Sequence, residues 1–229
     1  MKNKIFHTQD LCLRTNLRCA KNSARMENIM SEKVSIGILA VQGAFAEHQA
    51  MLDGLGADTF LIRQKKDLEE AVQNGRLQGI VLPGGESTVQ GKLLRDLGMS
   101  DQLKELIEAG TPVLATCAGL ILLAERVSND DRAYLKTLPV SVKRNAYGRQ
   151  LGSFVTDAEI AHIGIYRMNF IRAPYIDEIL DPQVETLAIV DGNTVAVRYK
   201  NQLALSFHPE VSEDARVHAY FLNEIVQGV

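Results

Sequence analysis

The sequence predicts an α/β protein with a mostly parallel central sheet flanked by helices on both faces. Three observations lead there. Short apolar runs alternate with segments of helical period from residue 34 to about residue 125. Those runs are apolar at consecutive positions, as strands covered on both faces are. Small-residue turns, Gln42-Gly43, Pro83-Gly84-Gly85 and Cys117-Ala118-Gly119, stand where strands end, which is where open sheets of this kind bind ligands.

In chain order, Val34–Val41 reads as a buried strand, and Gln42-Gly43 turns it into a helix carrying Phe45, His48, Met51, Leu52 and Leu55. Gly56-Ala57-Asp58 ends that helix and Thr59–Ile62 makes a second strand. Lys65–Val72 is a short amphipathic helix, and Gly79–Leu82 is a third strand running into Pro83-Gly84-Gly85-Glu86-Ser87-Thr88. Helices over Val89–Leu97 and Asp101–Glu108 lead to the strand Val113–Thr116, after which Ala118 opens an apolar helix. Beyond Glu125 the rhythm changes. Ser128–Asp131 is a loop and Val140–Lys143 a strand. Glu185–Val190 and Thr194–Arg198 form a hairpin across Asp191-Gly192-Asn193. Leu203–Phe207 is a further strand, and Glu213–Val226 a closing helix with Ser212 as its N-cap.

The chain has 229 residues, 46% of them hydrophobic, enough for one sizeable core. A net charge of −3 gives no reason to expect a nucleic-acid or membrane-surface partner. No apolar run reaches the ~18 residues a membrane span needs. Residues 1–32 differ from the rest: they are basic, carry Cys12 and Cys19, and lack a continuous apolar stretch of the secretory kind. Met26 and Met30 stand just ahead of the first strand, which suggests an upstream start. This segment is expected to be a disordered or non-native extension, and residues 33–229 the single functional domain. Three cysteines make no disulfide framework, so a reducing, cytoplasmic setting is expected.

Cys117 lies at a sharp strand-to-helix turn between small residues, the geometry of a nucleophile elbow. Such a turn aims backbone N–H groups and the helix dipole at the reacting atom, favouring a thiolate and an oxyanion. A lone Cys in an apolar run is by itself equally a buried small hydrophobe. Phe207-His208-Pro209-Glu210 shifts the balance. On extended backbone His208 and Glu210 point the same way, and Pro209 stiffens the pair. A cysteine nucleophile needs a base, and the base needs a group to hold its tautomer. Gly84 and Gly85 read as an oxyanion and substrate loop with Ala118, or as an ordinary tight turn. Glu86 and the missing Gly-Lys-Ser/Thr ending speak against phosphate. The donor-rich stretch Lys143–Gln150 offers an arginine, Arg144 or Arg149, to grip a carboxylate, or is a solvated loop. Phe170–Pro174 contributes Arg172 or backbone groups, or is a strand end. His48 and His162 are expected on structural or partner-facing surfaces, and His218 in the closing helix. No metal-ligand spacing is present, and no cofactor is expected.

Together these residues resemble class I (triad) glutamine amidotransferases, and more narrowly the glutaminase subunits of pyridoxal 5′-phosphate synthase, the PdxT family. The resemblance covers Val34 to Val226. It rests on Val41-Gln42-Gly43-Ala44 with Glu47-His48, Pro83–Thr88, Thr116–Ile121, Arg144–Gln150, Ile171–Pro174 and Ser206–Glu210. Ile121 stands where other amidotransferases of the class carry Gln, which matches the PdxT pattern. Ala115 stands where Gly is more usual before Thr-Cys, and residues 1–32 have no counterpart.

The resemblance implies a flavodoxin-like three-layer fold, with Cys117 as nucleophile and His208 and Glu210 completing the triad. It implies that Gly85, Glu86, Ser87, Arg144, Ile171 and Arg172 bind L-glutamine, and that Gly84, Gly85 and Ala118 serve the oxyanion. Ammonia released through a γ-glutamyl thioester would pass to a PdxS-type barrel synthase making pyridoxal 5′-phosphate in a 12+12 complex, with the glutaminase weak until docked. Alternatives are a glutaminase of the histidine or purine pathway, a non-catalytic subunit that kept the fold, and a PfpI-like cysteine hydrolase or chaperone. The last typically places His directly after the Cys, where this chain has Ala118.

Overall fold

A computed structural model describes residues 33–128, 130–144 and 153–228. The expected extension (1–32) and the Asn145–Gln150 part of the donor-rich stretch lie outside the described residues. Val34–Val229 forms a compact unit.

The first half follows the alternation read from the sequence. Its elements are β1 (Ser35–Leu39), α1 (Phe45–Gly54), β2 (Asp58–Ile62), α2 (Lys65–Gln73), β3 (Gly79–Leu82), α3 (Ser87–Asp96), α4 (Ser100–Glu108), β4 (Val113–Thr116) and α5 (Ala118–Leu123). The apolar run after Ala118 divides: α5 stops at Leu123 and the chain extends at once as β5 (Ala124–Val127). The second half is mainly antiparallel: β6 (Leu138–Lys143), β7 (Ser153–Ile160), β8 (Gly164–Ile171), β9 (Tyr175–Ile179), β10 (Glu185–Val190), β11 (Asn193–Tyr199) and β12 (Gln202–Leu205).

Strand order in the large sheet is β2-β1-β3-β4-β12-β11-β9-β6-β5, with β10 pairing β11. From β2 to β12 every pairing is parallel. The strands β1, β3, β4 and β12 are buried along their whole length, which is why they read as unbroken apolar runs. Alternate residues face opposite layers. Ile80, Leu82, Val113, Ala115 and Ala204 pack with Leu68, Leu94, Leu103 and Leu120 of α2 to α5. On the other face Val81, Leu114, Leu203 and Leu205 meet Leu52 of α1 and the C-terminal residues Val217, Phe221 and Ile225.

The β7–β8 hairpin is a separate two-stranded sheet that closes this second face through Tyr166, Met168 and Phe170. The sequence reading placed no strands there, because one side of the hairpin is exposed and charged and its period-2 signal is carried by few apolar residues. The closing helix also differs. It begins only at α6 (Arg216–Tyr220), has Ala215 as N-cap, and continues as a π-helix over Phe221–Gln227. Ser212 Oγ instead accepts the Asp214 N–H at 3.1 Å, a local turn ahead of the helix. No helix among the described residues is long and apolar enough to cross a membrane.

Gly119 fixes how closely α5 approaches the sheet. A Cβ there would sit 2.1 Å from the Leu82 carbonyl oxygen, a backbone atom that cannot move aside. Gly119→Ala is expected to lower unfolding free energy by about 1–3 kcal/mol in urea denaturation, the range for overpacking a filled core.

Candidate active site

β3, β4 and β12 lie side by side and run in the same direction, so the residues after each leave the sheet at one rim. Leu205 pairs with Thr116, and Leu82 with Ala115. The next residues are therefore the Pro83-Gly84-Gly85 loop, Cys117 and Ser206-Phe207-His208.

Cys117 takes φ 46° and ψ −95°, a conformation that costs a non-glycine residue about 1–3 kcal/mol and persists only when its surroundings impose it. Here its N–H donates to Leu205 O at 2.8 Å while its carbonyl accepts from Ile121 N–H at 3.3 Å. The buried Sγ lies 4.0 Å from Ile171 O at the end of β8. Ala118 follows as the first residue of α5, where an N–H has no intrahelical acceptor.

His208 is held at both ends. Its N–H donates to Asn169 O of β8 at 2.8 Å, and its ring Nδ1 lies 2.7 Å from Glu210 Oε1. Glu210 sits in a 3₁₀ turn, Pro209–Val211. The two side chains thus meet by a tight turn after the strand rather than on extended backbone, as the spacing had suggested. With Nδ1 engaged, Nε2 is the nitrogen left for Cys117. Cys117 is the largest of the influences that raise the ring's proton affinity, and Nε2 has no hydrogen-bond partner among the described residues. Unliganded sites often show such geometry.

Burial is the largest influence on His208 and lowers its pKa, but Cys117 and Glu210 together outweigh it and raise the value from 6.5 to about 10. Burial likewise pushes Glu210 up, and His48 and His208 more than offset it, so the carboxyl stays below its ordinary value and ionised.

Gly84 packs directly on this pair: a Cβ would lie 2.3 Å from His208 Cε1 and 2.7 Å from Nδ1. Its carbonyl accepts the Ala44 N–H at 3.0 Å. Across a trans peptide the Gly85 N–H then points away from Ala44. Gln42 and Gln90 brace the loop. Gln42 Oε1 accepts the Glu86 N–H at 2.9 Å, and Gln90 Nε2 donates to Gln42 O at 2.9 Å and Pro83 O at 3.2 Å.

The other expected residues line the approach. Arg144 Nη2 is 3.2 Å from Glu86 Oε1, and Nη1 is 2.8 Å from Asp130 Oδ2. Asp130 is held well below the usual carboxylate range, first by Arg132 and also by Arg144. Ser87 is buried and its hydroxyl has no hydrogen-bond partner among the described residues. Ile171 and Arg172 are exposed, and Arg172 turns the chain at φ 45°. The structure therefore gathers Cys117, His208, Glu210, Gly84 and the Ile171 carbonyl, while Arg144 pairs with Glu86 along the loop.

His162 lies at the surface, 2.9 Å from Glu185. His48 does not: it is fully buried behind Glu210. Sequence reasoning missed its place, and those of Gln42, Gln90 and Thr116. The available signal was His48 four residues before Leu52 on the inward face of α1, a polar group where packing favours apolar ones.

Two outcomes test this geometry. A raised imidazole pKa means bound proton stabilises the fold fully below about pH 6.5, a contribution lost as pH rises toward 10. Chemical denaturation across that window should therefore show a shallower pH dependence for His208→Gln than for the unsubstituted chain. Gly84→Ala should displace the imidazole, and an NMR titration should find its pKa lowered toward 6.5.

A match to the SNO glutamine amidotransferase family covers residues 38–227. The pyridoxal 5′-phosphate synthase subunit PdxT of Desulfitobacterium hafniense is 56% identical over 193 residues, 84% of this chain and 94% of the relative. That of Methanocorpusculum labreanum is 53% identical, over 84% of this chain and 98% of the relative. A solved structure described as a glutamine amidotransferase superposes with a TM-score of 0.76 at 41% identity, covering 85% of this chain and 99% of that one. The rim of the parallel sheet and these matches lead to one statement: the chain belongs to the SNO glutamine amidotransferase family.

Proposed function

We propose that residues 33–229 hydrolyse the side-chain amide of L-glutamine and deliver the ammonia to a synthase subunit making pyridoxal 5′-phosphate, in the cytoplasm. The observation that carries the reading is Cys117 on its strained turn beside His208, whose other ring nitrogen is 2.7 Å from Glu210. The relatives' description as pyridoxal 5′-phosphate synthase subunits supports the choice of acceptor.

Glutamine enters as a zwitterion. Arg144 suits its α-carboxylate and Glu86 its α-ammonium, with the Ser87 hydroxyl and the Ile171-Arg172 backbone completing the cradle. The Cys117 thiolate attacks the amide carbon, forming the C–S bond as the carbonyl electron pair moves to oxygen. Backbone N–H groups of Ala118 and the Gly84-Gly85 turn receive that oxyanion. The imidazolium of His208 gives its proton to the leaving nitrogen, ammonia departs and a γ-glutamyl thioester remains. Neutral His208 then takes a proton from water as its oxygen attacks the thioester carbon. The C–S bond breaks, glutamate leaves, and the Cys117 thiolate and His208 imidazolium are restored. Glu210 holds the imidazole's orientation and offsets its charge. The partner is a PdxS-type synthase in a 12+12 complex, and docking switches on a glutaminase that is weak alone.

Ammonia release from glutamine, measured with and without a candidate synthase, tests the reading. Cys117→Ala should abolish it and prevent trapping by diazo-oxo-norleucine. Retained turnover, or no stimulation by the synthase, would count against the nucleophile or the partner respectively.

A further inference from the structure

Behind the three catalytic groups lies a second, fully buried set of side chains. His48 of α1 and His218 of α6 are both 0% exposed, and Glu210 is 4% exposed. His48 Nδ1 is 2.9 Å from His218 Nε2. His48 Nε2 is 3.1 Å from Thr116 Oγ1 and 3.5 Å from Glu210 Oε2. Glu210 Oε2 accepts no hydrogen bond in this geometry; His48 Nε2, bonded to Thr116, lies 3.5 Å from it, and Glu210's own N–H also acts on the carboxylate.

Hydrogen-bond accounting assigns the protons. His218 Nδ1 is buried without a partner, and an orphaned N–H costs more than an orphaned lone pair. The His218 proton therefore sits on Nε2 and is donated to His48 Nδ1. His48 in turn carries its proton on Nε2, directed at Thr116 and Glu210. The reverse tautomers would aim a lone pair at the carboxylate. Burial, the largest influence, lowers the pKa of both imidazoles, and at His48 it prevails over the opposing pull of Glu210, so each ring favours its neutral form. The titratable groups facing His48 are Glu210 from the 3₁₀ turn, His208 from the end of β12, His218 from α6, and Glu47 from its own helix.

We propose that His48 is a positioning residue of the catalytic centre: its Nε2–H supports the inner oxygen of Glu210, and His218 fixes the tautomer that makes this possible. The inference rests on the reading of Cys117, His208 and Glu210 given above. Without the Nε2–H dipole 3.5 Å from Oε2 the buried carboxylate takes up a proton at higher pH, and His208 loses the anion that orients it.

Glutamine and asparagine at position 48 separate this role from packing, since a Gln side chain can bring an N–H to the place of Nε2 and an Asn side chain cannot. The readout is the rate of Cys117 labelling by iodoacetamide against pH, followed by peptide mapping, together with kcat and KM for glutamine in the presence of the synthase. His48→Gln should stay within about threefold of the unsubstituted chain. His48→Asn should move the acidic limb of labelling up by about one pH unit, lowering the rate there about tenfold. It should lower kcat with KM little changed. His208→Gln and Glu210→Gln serve as controls: if neither alters labelling or hydrolysis, the catalytic trio itself is wrong. If both do, while Asn and Gln at 48 behave alike with the limb unmoved, the positioning role is overturned. Should His48→Asn fail to fold, His218→Gln against His218→Leu makes the same comparison, Gln preserving the donor to His48 and Leu removing it.

Discussion

Parallel pairing of β4 with β12 is the contact on which the site depends. Leu205 opposite Thr116 puts the residue after one strand next to the chain leaving the other, and the bond from Cys117 N–H to Leu205 O locks the turn to that register. A slip by one residue would send the inward side chains of β12 to the opposite layer and separate the sulfur from the imidazole. The four strands from β1 to β12 are buried on both faces, so a slip would also expose apolar surface, and the core holds the register.

Within that frame the loops work by close approach. Gly43, at φ 104°, comes so near the Gly84 carbonyl that a Cβ would lie 2.0 Å from its oxygen. This lets the amide of Ala44 hold the Gly84 carbonyl. Gln90 reaches back from α3 to two carbonyls of the same loops, so the backbone beside His208 is braced from both sides. The strain at Cys117 is borne in the same way, by hydrogen bonds on either side of the turn and by the packing of Gly119 on Leu82.

Burying a carboxylate and an imidazole together is unfavourable unless each finds a partner. Here the pair offsets that cost mutually, with Cys117 on one side and the two neutral histidines on the other. Arg144 and Glu86 meet nearer the solvent, where a substrate carrying both charges could replace each partner of their contact. The site thus grades from a dry, proton-sensitive interior to a charged mouth.

Much of this was written in the chain order. Short apolar runs alternating with segments of helical period specify strands buried on both faces, and this alternation revealed the parallel half of the sheet. An apolar run alone does not, as α5, buried at every position, shows. Cys117 among small residues and His208 two before Glu210 were legible as chemistry, since few patterns besides a nucleophile and an oriented base use them together. The β7–β8 hairpin, the late start of α6 and the 3₁₀ turn carrying Glu210 were not legible, because their apolar signal is sparse or their backbone follows from neighbours. Nor could the position of His48 be read: a polar residue on a helix declares its face, and only packing of α1 against β4, the 3₁₀ turn and α6 decides which groups it meets. Local sequence determines which side chains are available and on which face of an element they stand. Tertiary packing decides their distances, and with them which protons are held and where.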